Sequence, residues 1–589
     1  MARYNKQTWV DGVSPVNAER MNHMESGIAS SVRTINGNSP DANGNINVSG
    51  GSSGGTNENT QSSEVVTTIE ELTAKISAGA KVITLAADAD IEVSGTITLK
   101  EGTILNGNGA TVRRATGFEG RLFILMDGCR MENLTIEGNR TAMVSPHWDA
   151  TNEIVVYANC VIDGVTINNA NEAIVVYGDD VIVRGCRLYN CGGNGIHMSG
   201  ADRTRIEDCV IIGANKNADV MENSNGCIYW CLDVNDAVVT GCYCEDGKAG
   251  FGGIDGVDNS HLKIIGCTAK NCTYAVRGEH YRDGDGGSID VTISGNQFIE
   301  CGPLLLVYGA DNVIPGEGLV ISGNLFTNTK ISIDSFRKAV ITGNTLNGGS
   351  IEPHRCPYAV ISDNVIDNPT DWGIYSKNSP NINISGNSIR CLNYGATVNN
   401  CPGIVILGNT IRQSPHNKNN NCINLVSSPE AVVDCNKIYI YYGTGINTES
   451  NCKTTGNYIV AADSSLVAIR VYGGRENFIV AQNMTNGTFA VNSSTNCVNQ
   501  NNITIESTAF VDATYTLTNI TTDGFAKALT NDDFGFTLTA ASGYTLPDSI
   551  TVTMGGTALV AGKGYTYDKA TGTVTVYRVS GAVEITAAA

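Results

Sequence analysis

Four carboxylates stand at related places in this chain. Asp255, Asp334 and Glu352 each follow an aliphatic residue directly, and Glu279 lies three residues beyond Val276. Glycoside hydrolysis needs two such groups, about 5–5.5 Å apart for retention or about 6.5–9.5 Å for inversion. Asp334 with Glu352 is one candidate pair, and Asp255 with Glu279, with Arg277 between them, is the other. Repulsion within a pair would raise one pKa and so separate an acid from a base. A lyase would instead use His197, His354 or Tyr375 as base, with a cation beside the substrate carboxylate. No local signature selects among these chemistries. The same residues could equally be the solvated outer face of a structural rod. Read as a binding surface, His197, Tyr229, Arg277, His354, Trp372 and Tyr375 supply rings on which sugars stack and charges that hold hydroxyls. Trp230 and Trp372 are either sugar platforms or packing residues. No metal set and no cofactor motif is present.

Something must bring residues so far apart in sequence onto one face. Aligning the aliphatic residues Ile196, Ile228, Ile254, Val276, Ile333, Ile351 and Ile374, and then Ile423, Ile446 and Ile469, supplies it. Strand side chains alternate, so the residue after each aliphatic points outward. That column reads His197, Tyr229, Asp255, Arg277, Asp334, Glu352, Tyr375, Asn424, Asn447 and Arg470. A second outward column, two residues on, holds Ser199, Glu279, Phe336, His354 and Lys377. On this alignment Asp334 and Glu352 are neighbours about one strand spacing apart, about 4.8 Å.

The alignment follows from a repeat. DVTISGNQF, GLVISGNLF, KAVITGNTL, YAVISDNVI, NINISGNSI and GIVILGNTI place Asn296, Asn324, Asn344, Asn364, Asn387 and Asn409 in one phase, every 20 to 28 residues. Asn133, Val165, Cys186, Cys209, Cys242 and Cys267 extend the phase upstream, and Asn436, Asn457 and Asn483 downstream. Period-two alternation makes each unit a strand. A recurrent unit of this length that cannot bury its own apolar face stacks into a solenoid. The reading is an all-β, right-handed parallel β-helix of about 16 coils, with the turn asparagines bonded to one another along the rod.

The chain of 589 residues exceeds one compact core, and its net charge of −20 argues against a nucleic-acid partner. No run of about 18 apolar residues is present to span a membrane. The N-terminus lacks a signal core, so the expected place of synthesis is a cytoplasm. Cytoplasmic synthesis and an odd count of 19 cysteines point to free thiols. Cys186, Cys209, Cys242 and Cys267 in one phase, and Cys191, Cys272 and Cys301 in another, read as ladders of small buried residues.

The ends differ from the middle. Met21, Met24, Ile28 and Val32 form a short helical seam after Asn17, a plausible cap. Residues 50–64 are a Gly/Ser linker. Ile69-Glu-Glu-Leu-Thr-Ala-Lys-Ile has the spacing of a helix that would plug the solenoid end. Residues 513–589 read as a small antiparallel β-sandwich.

Three stretches carry resemblances. WVDGVSPVNAERMNHME resembles the N-terminal segment of bacteriophage tail and baseplate proteins, and VRTINGNSPDANGNI the small β element of phage tail fibres. VITLAADADIEVSGTITLKEGTILNGNGATV resembles the entry coils of pectate-lyase-like β-helices, phage tailspikes included. The C-terminal module resembles Ig-like or adhesin-type domains. These imply a division into a virion or baseplate attachment segment (1–49), the linker (50–64), a β-helix (65–512) and an Ig-like domain (513–589). They imply a homotrimeric fibre or tailspike in the virion tail that binds a bacterial surface polysaccharide and joins a tail or baseplate protein through residues 1–49. The alternatives are a polysaccharide depolymerase of the same architecture, and a spacer whose recognition lies in the C-terminal domain.

Overall fold

The structure, a computed structural model, describes residues 65–143, 151–215, 226–231, 233–253, 259–280, 290–308, 316–367, 372–391, 393–414, 421–449, 451–471, 476–491, 496–507 and 509–589. The expected attachment segment and linker (1–64) lie outside them.

Every described coil but the last winds through three short parallel strands, each stacked on its counterpart in the next coil. Sheet A runs from Val82–Thr84 to Val498–Gln500 and counts 18 strands, its end strands adding to the roughly 16 turns of the motif. Sheet B begins at Asp90–Val93 and sheet C at Ile97–Leu99. At about 4.8 Å per strand the stack is about 80 Å long. The connections take the right-handed sense that parallel strands impose. Inward residues form one continuous core, from Leu72 and Val93 at one end to Phe478 and Val480 at the other.

The Gly-Asn motif is the corner between sheets A and B. Its first residue adopts positive φ (Gly295 at 65°, Asp363 at 56°), a conformation that favours glycine or a short polar side chain. The second residue points inward. From Asn296 to Asn502 these amides form one ladder. The Oδ1 of Asn364 accepts from both the backbone N–H (3.0 Å) and Nδ2 (2.9 Å) of Asn344. Its Nδ2 donates to Ile341 O (2.9 Å) and to Asn387 Oδ1 (3.0 Å). Every buried amide atom at this corner is thereby paired, as burial requires. Upstream the seat is apolar. Cys186, Cys209, Cys242 and Cys267 stack thiol on thiol, and the ladders meet where Cys267 N–H donates to Asn296 Oδ1 (2.8 Å). One position shifts: Asn133 holds the positive-φ seat and Leu134 the inward one. In the second thiol phase Cys227 joins Cys272 and Cys301, with Cys191 nearby. All 19 cysteines are unpaired thiols.

The N-terminal plug is the helix Ile69–Ser77, closed by a capping box between Thr68 and Glu71, with Leu72 fully buried on the core.

The C-terminal module packs a five-stranded sheet on a four-stranded one around Phe534, Phe536, Val552 and Val574. Its pairing departs from the antiparallel expectation once: Phe510–Thr518 lies parallel to Val583–Ala588, because the first and last strands enter from the same end. The module is not pendant. It folds back on the rod, where Tyr441 packs against Phe510 and Phe525 at 4.9 and 5.2 Å between ring centres. The Tyr441 hydroxyl accepts the buried N–H of Leu529 (2.9 Å). Tyr441→Phe should leave that N–H unpaired and weaken the docking by about 1–3 kcal/mol. Limited proteolysis should then release the C-terminal fragment earlier; unchanged release would show that the ring contacts alone hold it.

Candidate functional site

Sheet C carries the proposed residues, and its hydrogen-bonded register decides which of them meet. Ile351 pairs with Ile374, so Glu352 and Tyr375 share a column that continues through Thr397, Asn424, Asn447 and Arg470. Asp334 is not in that column. Its strand pairs Ile331, not Ile333, with Ile351, so Ser332 stands beside Glu352 and Asp334 beside His354. Asp334 and Glu352 are therefore diagonal neighbours, about 7–8 Å apart at the backbone. A slip of two keeps every side chain on its own face, so the alternation in ISID admits either alignment.

Further up, Phe251 rather than Ile254 is level with Val276, which puts Gly252 between Tyr229 and Arg277. Asp255 lies outside the described residues. So does the side chain of Glu279, whose backbone belongs to the strand Tyr274–His280. Arg277 is buried and lies over the Tyr274 ring at 4.8 Å. Phe336, placed outward by the alignment, is buried. Trp230 is wholly inside the core and Trp372 is half-buried on the outer face.

One cluster gathers most of the remaining candidates. The Trp372 ring stacks on Tyr375 at 4.6 Å and 20°, and on Tyr394 at 6.4 Å and 24°. The His354 ring meets Tyr375 edge-on at 5.3 Å. Burial pushes the His354 pKa below its ordinary value against the opposing pull of Asp334 and Glu352, which keeps the ring neutral at pH 7. Its Nδ1 is buried without a hydrogen-bond partner among the described residues. Asp334 accepts a fork from Arg355 (Nε 2.6 Å, Nη2 2.8 Å) and Glu352 accepts from Lys330 Nζ (2.9 Å) and Ser350 Oγ (2.7 Å). Each carboxylate is matched to its own cation. The arrangement offers oriented charge beside aromatic rings. Tyr394, which the alignment passed over, enters because Trp372 pairs with it across the sheet.

His197 lies elsewhere. It is 3% exposed, with Nδ1 3.0 Å from Glu172 Oε2. Asn194 Nδ2 donates to the other Glu172 oxygen (3.0 Å). Burial opposes the charged ring, but Cys231 and Glu172 prevail and lift His197 to about 9. Two coils earlier Arg114 and Glu153, 1% and 0% exposed, form a second buried pair at 2.8 Å. Arg114 also donates to Gly120 O (2.6 Å) and Asn152 O (2.9 Å). Burial lifts Glu153 to about 7 despite Arg114. The available signal was the repeated Asn-Glu before an aliphatic run, at 152–153 and 171–172.

Both groups hold their protons more tightly folded than unfolded. Their share of stability is present at low pH and is lost as pH rises, for Glu153 between about 4.5 and 7 and for His197 between about 6.5 and 9. The thermal midpoint should fall from pH 5 to pH 9, and Glu153→Gln should flatten the lower part of that curve. A midpoint rising across this range would contradict the assignment.

The family profile described as right handed beta helix region matches residues 152–314 and 281–438. No curated protein matches the chain in sequence. Among solved structures, a tailspike protein of E. coli bacteriophage HK620 is 13% identical, with 88% of this chain and 87% of that one covered and a TM-score of 0.34. Gene product 12 of bacteriophage phi29, in its pre-mature form, is 12% identical over 87% and 81%, at 0.41. The A-module of Azotobacter vinelandii mannuronan C-5 epimerase AlgE6 is 12% identical over 62% and 93%, at 0.34.

Proposed function

We propose that this protein is a phage tail fibre or tailspike adhesin that binds a bacterial surface glycan through the outer face of sheet C. The observation that carries the reading is the half-buried stack of Trp372, Tyr375 and Tyr394, flanked by His354 and by the salt-bridged Asp334 and Glu352. Sugars present flat apolar faces edged with hydroxyls. Aromatic rings beside fixed charges and dipoles complement both features. The N-terminal resemblance supports attachment of residues 1–49 to a tail or baseplate protein, and a trimer of the kind such fibres form. The depolymerase reading through Asp334 and Glu352 draws less support, because each carboxylate is already engaged by a neighbouring cation, Arg355 or Lys330, rather than facing an open site.

Incubation with purified host surface polysaccharide tests the reading. Binding without new reducing ends or unsaturated sugars is the expected result. Product formation would favour the depolymerase. Binding that survives loss of the sheet C cluster but not of residues 513–589 would favour the spacer.

A further inference from the structure

We propose that the corner between sheets A and B, over the six coils from Thr292 to Thr410, is the face on which a second copy of this chain packs, rod beside rod. The glycan reading and the sheet C cluster play no part in this.

In-register stacking sorts the outward residues of the corner into three columns. The first opens sheet A and runs through Val320, Val340 and Val360 to Val405. The second closes sheet A and runs through Ser322, Thr342 and Ser362 to Leu407. The third opens sheet B and runs through Leu325, Thr345 and Val365 to Thr410. Each column begins one coil higher, at Thr292, Ser294 and Gln297. Three columns over six coils make eighteen positions, and none of them is ionisable. Asp363, on the turn between the second and third columns, is the one charge inside the stripe.

The same columns are charged above and below. Upstream, Arg130, Asp163 and Arg184 form a chain of ion pairs (3.1 and 2.7 Å), and Arg205, Glu207 and Lys263 follow. Downstream, Asp434, Lys437 and Lys453 bring charge back. Apolar exposure concentrates here as well. Leu325, Val365 and Leu407 are 36%, 46% and 40% exposed. Among the large apolar side chains exposed between Ile265 and Ile503, all but Tyr358 stand on these three columns, with Ile265 above the stripe and Ile479, Met484 and Ile503 below it. A single exposed aliphatic is ordinary, but a line of them along one edge marks a contact surface.

Charge selects the occupant. A chain of net charge −20 repels its own copy wherever acids meet. On an uncharged stripe two copies approach without that cost, whereas a basic partner would be drawn to the acids elsewhere on the chain. Two rods also share one coil spacing, about 4.8 Å, so their side chains can interleave along the whole contact. Six coils span about 29 Å and the three columns about 17 Å, so each copy offers about 500 Å², and the pair about 1,000 Å², the size at which specific interfaces begin. Ion pairs edge the stripe. Glu317 with Lys338 (2.6 Å) lies on one side, and Asp367 with Arg390 on the other, where the C-terminal module stands. An uncharged centre inside a charged rim is the anatomy of a protein–protein contact.

The test uses the full chain. Sedimentation should give a multiple of the chain mass that falls on dilution. Hydroxyl-radical footprinting should find Leu325, Val365 and Leu407 oxidised several-fold more slowly in the assembly than after dilution, with Met126, exposed outside the stripe, unchanged. Val340→Glu combined with Val405→Glu puts like charges across the contact at outward positions. It should remove that protection and shift the chain toward monomer, with the β-sheet spectrum and a cooperative melt retained. Thr166→Glu, on sheet B outside the stripe, should do neither. A monomer at every concentration overturns the proposal. So does an assembly in which Leu325, Val365 and Leu407 stay fully reactive, since the copies would then meet elsewhere, or one whose protection survives the double substitution. Should the double variant fail to fold, the footprint of the unaltered chain decides alone. Neither arm contains a glycan, so failure here leaves the adhesin reading standing.

Discussion

Asn364→Ala should lower the unfolding free energy by about 4 kcal/mol, at roughly 1 kcal/mol for each of four lost hydrogen bonds. The change removes both acceptor contacts to Asn344 and both donor contacts to Ile341 and Asn387. It also strands the buried N–H of Asn344, while Asn344 Nδ2 keeps Ile321 O (2.9 Å) and Thr342 O (3.2 Å) as acceptors. Asn364→Asp should cost more, because an oxygen would then face the Ile341 carbonyl and Asn387 Oδ1 in the low-dielectric core. The matched control is Asn502→Ala at the ladder's end, where the same number of side-chain hydrogen bonds is made but the side chain is half-buried, so solvent can replace them. Urea midpoints for the three variants decide the matter. Equal, small shifts would mean that the ladder adds nothing beyond its backbone bonds.

Trp372→Ala should weaken binding of host polysaccharide by about thirtyfold, on the order of 2 kcal/mol, as loss of a central aromatic contact does. The ring is half-buried and stacked on both Tyr375 and Tyr394, so its removal takes away one sugar face and loosens the two that remain. The core beneath is untouched: Ile374, its inward neighbour, stays wholly buried. The thermal midpoint should therefore move little, which separates a binding defect from unfolding. A paired change on sheet A, Lys453→Ala, should leave binding intact. Full affinity in the Trp372 variant would remove the sheet C cluster from the glycan surface.

Much of this molecule was legible in its order of residues. The recurrence of Gly-Asn after an alternating strand implied the solenoid, since such a unit must stack to bury its face. It also placed Asn296 to Asn483 on one corner, and their amides could only be satisfied by each other or by neighbouring carbonyls. Thiols in the same phase had to be small core residues, as Cys186 to Cys267 are. Local periodicity carried all of this, because it is set by the side-chain alternation of a strand and survives any register.

Register itself came only from the assembled coils. The pattern ISID reads the same whether Ile331 or Ile333 is level with Ile351, and the backbone hydrogen bonds between coils chose Ile331, which moved Asp334 beside His354. Burial on an outward position was equally hidden, so His197 turned from a surface residue into the partner of Glu172 in a buried pair. The docking of Tyr441 on Leu529 joins residues 88 apart that share no motif. Alternation sorts side chains into inside and outside, but it is blind to even slips and to what lies across the outer face, and both are settled by contacts between segments remote in sequence.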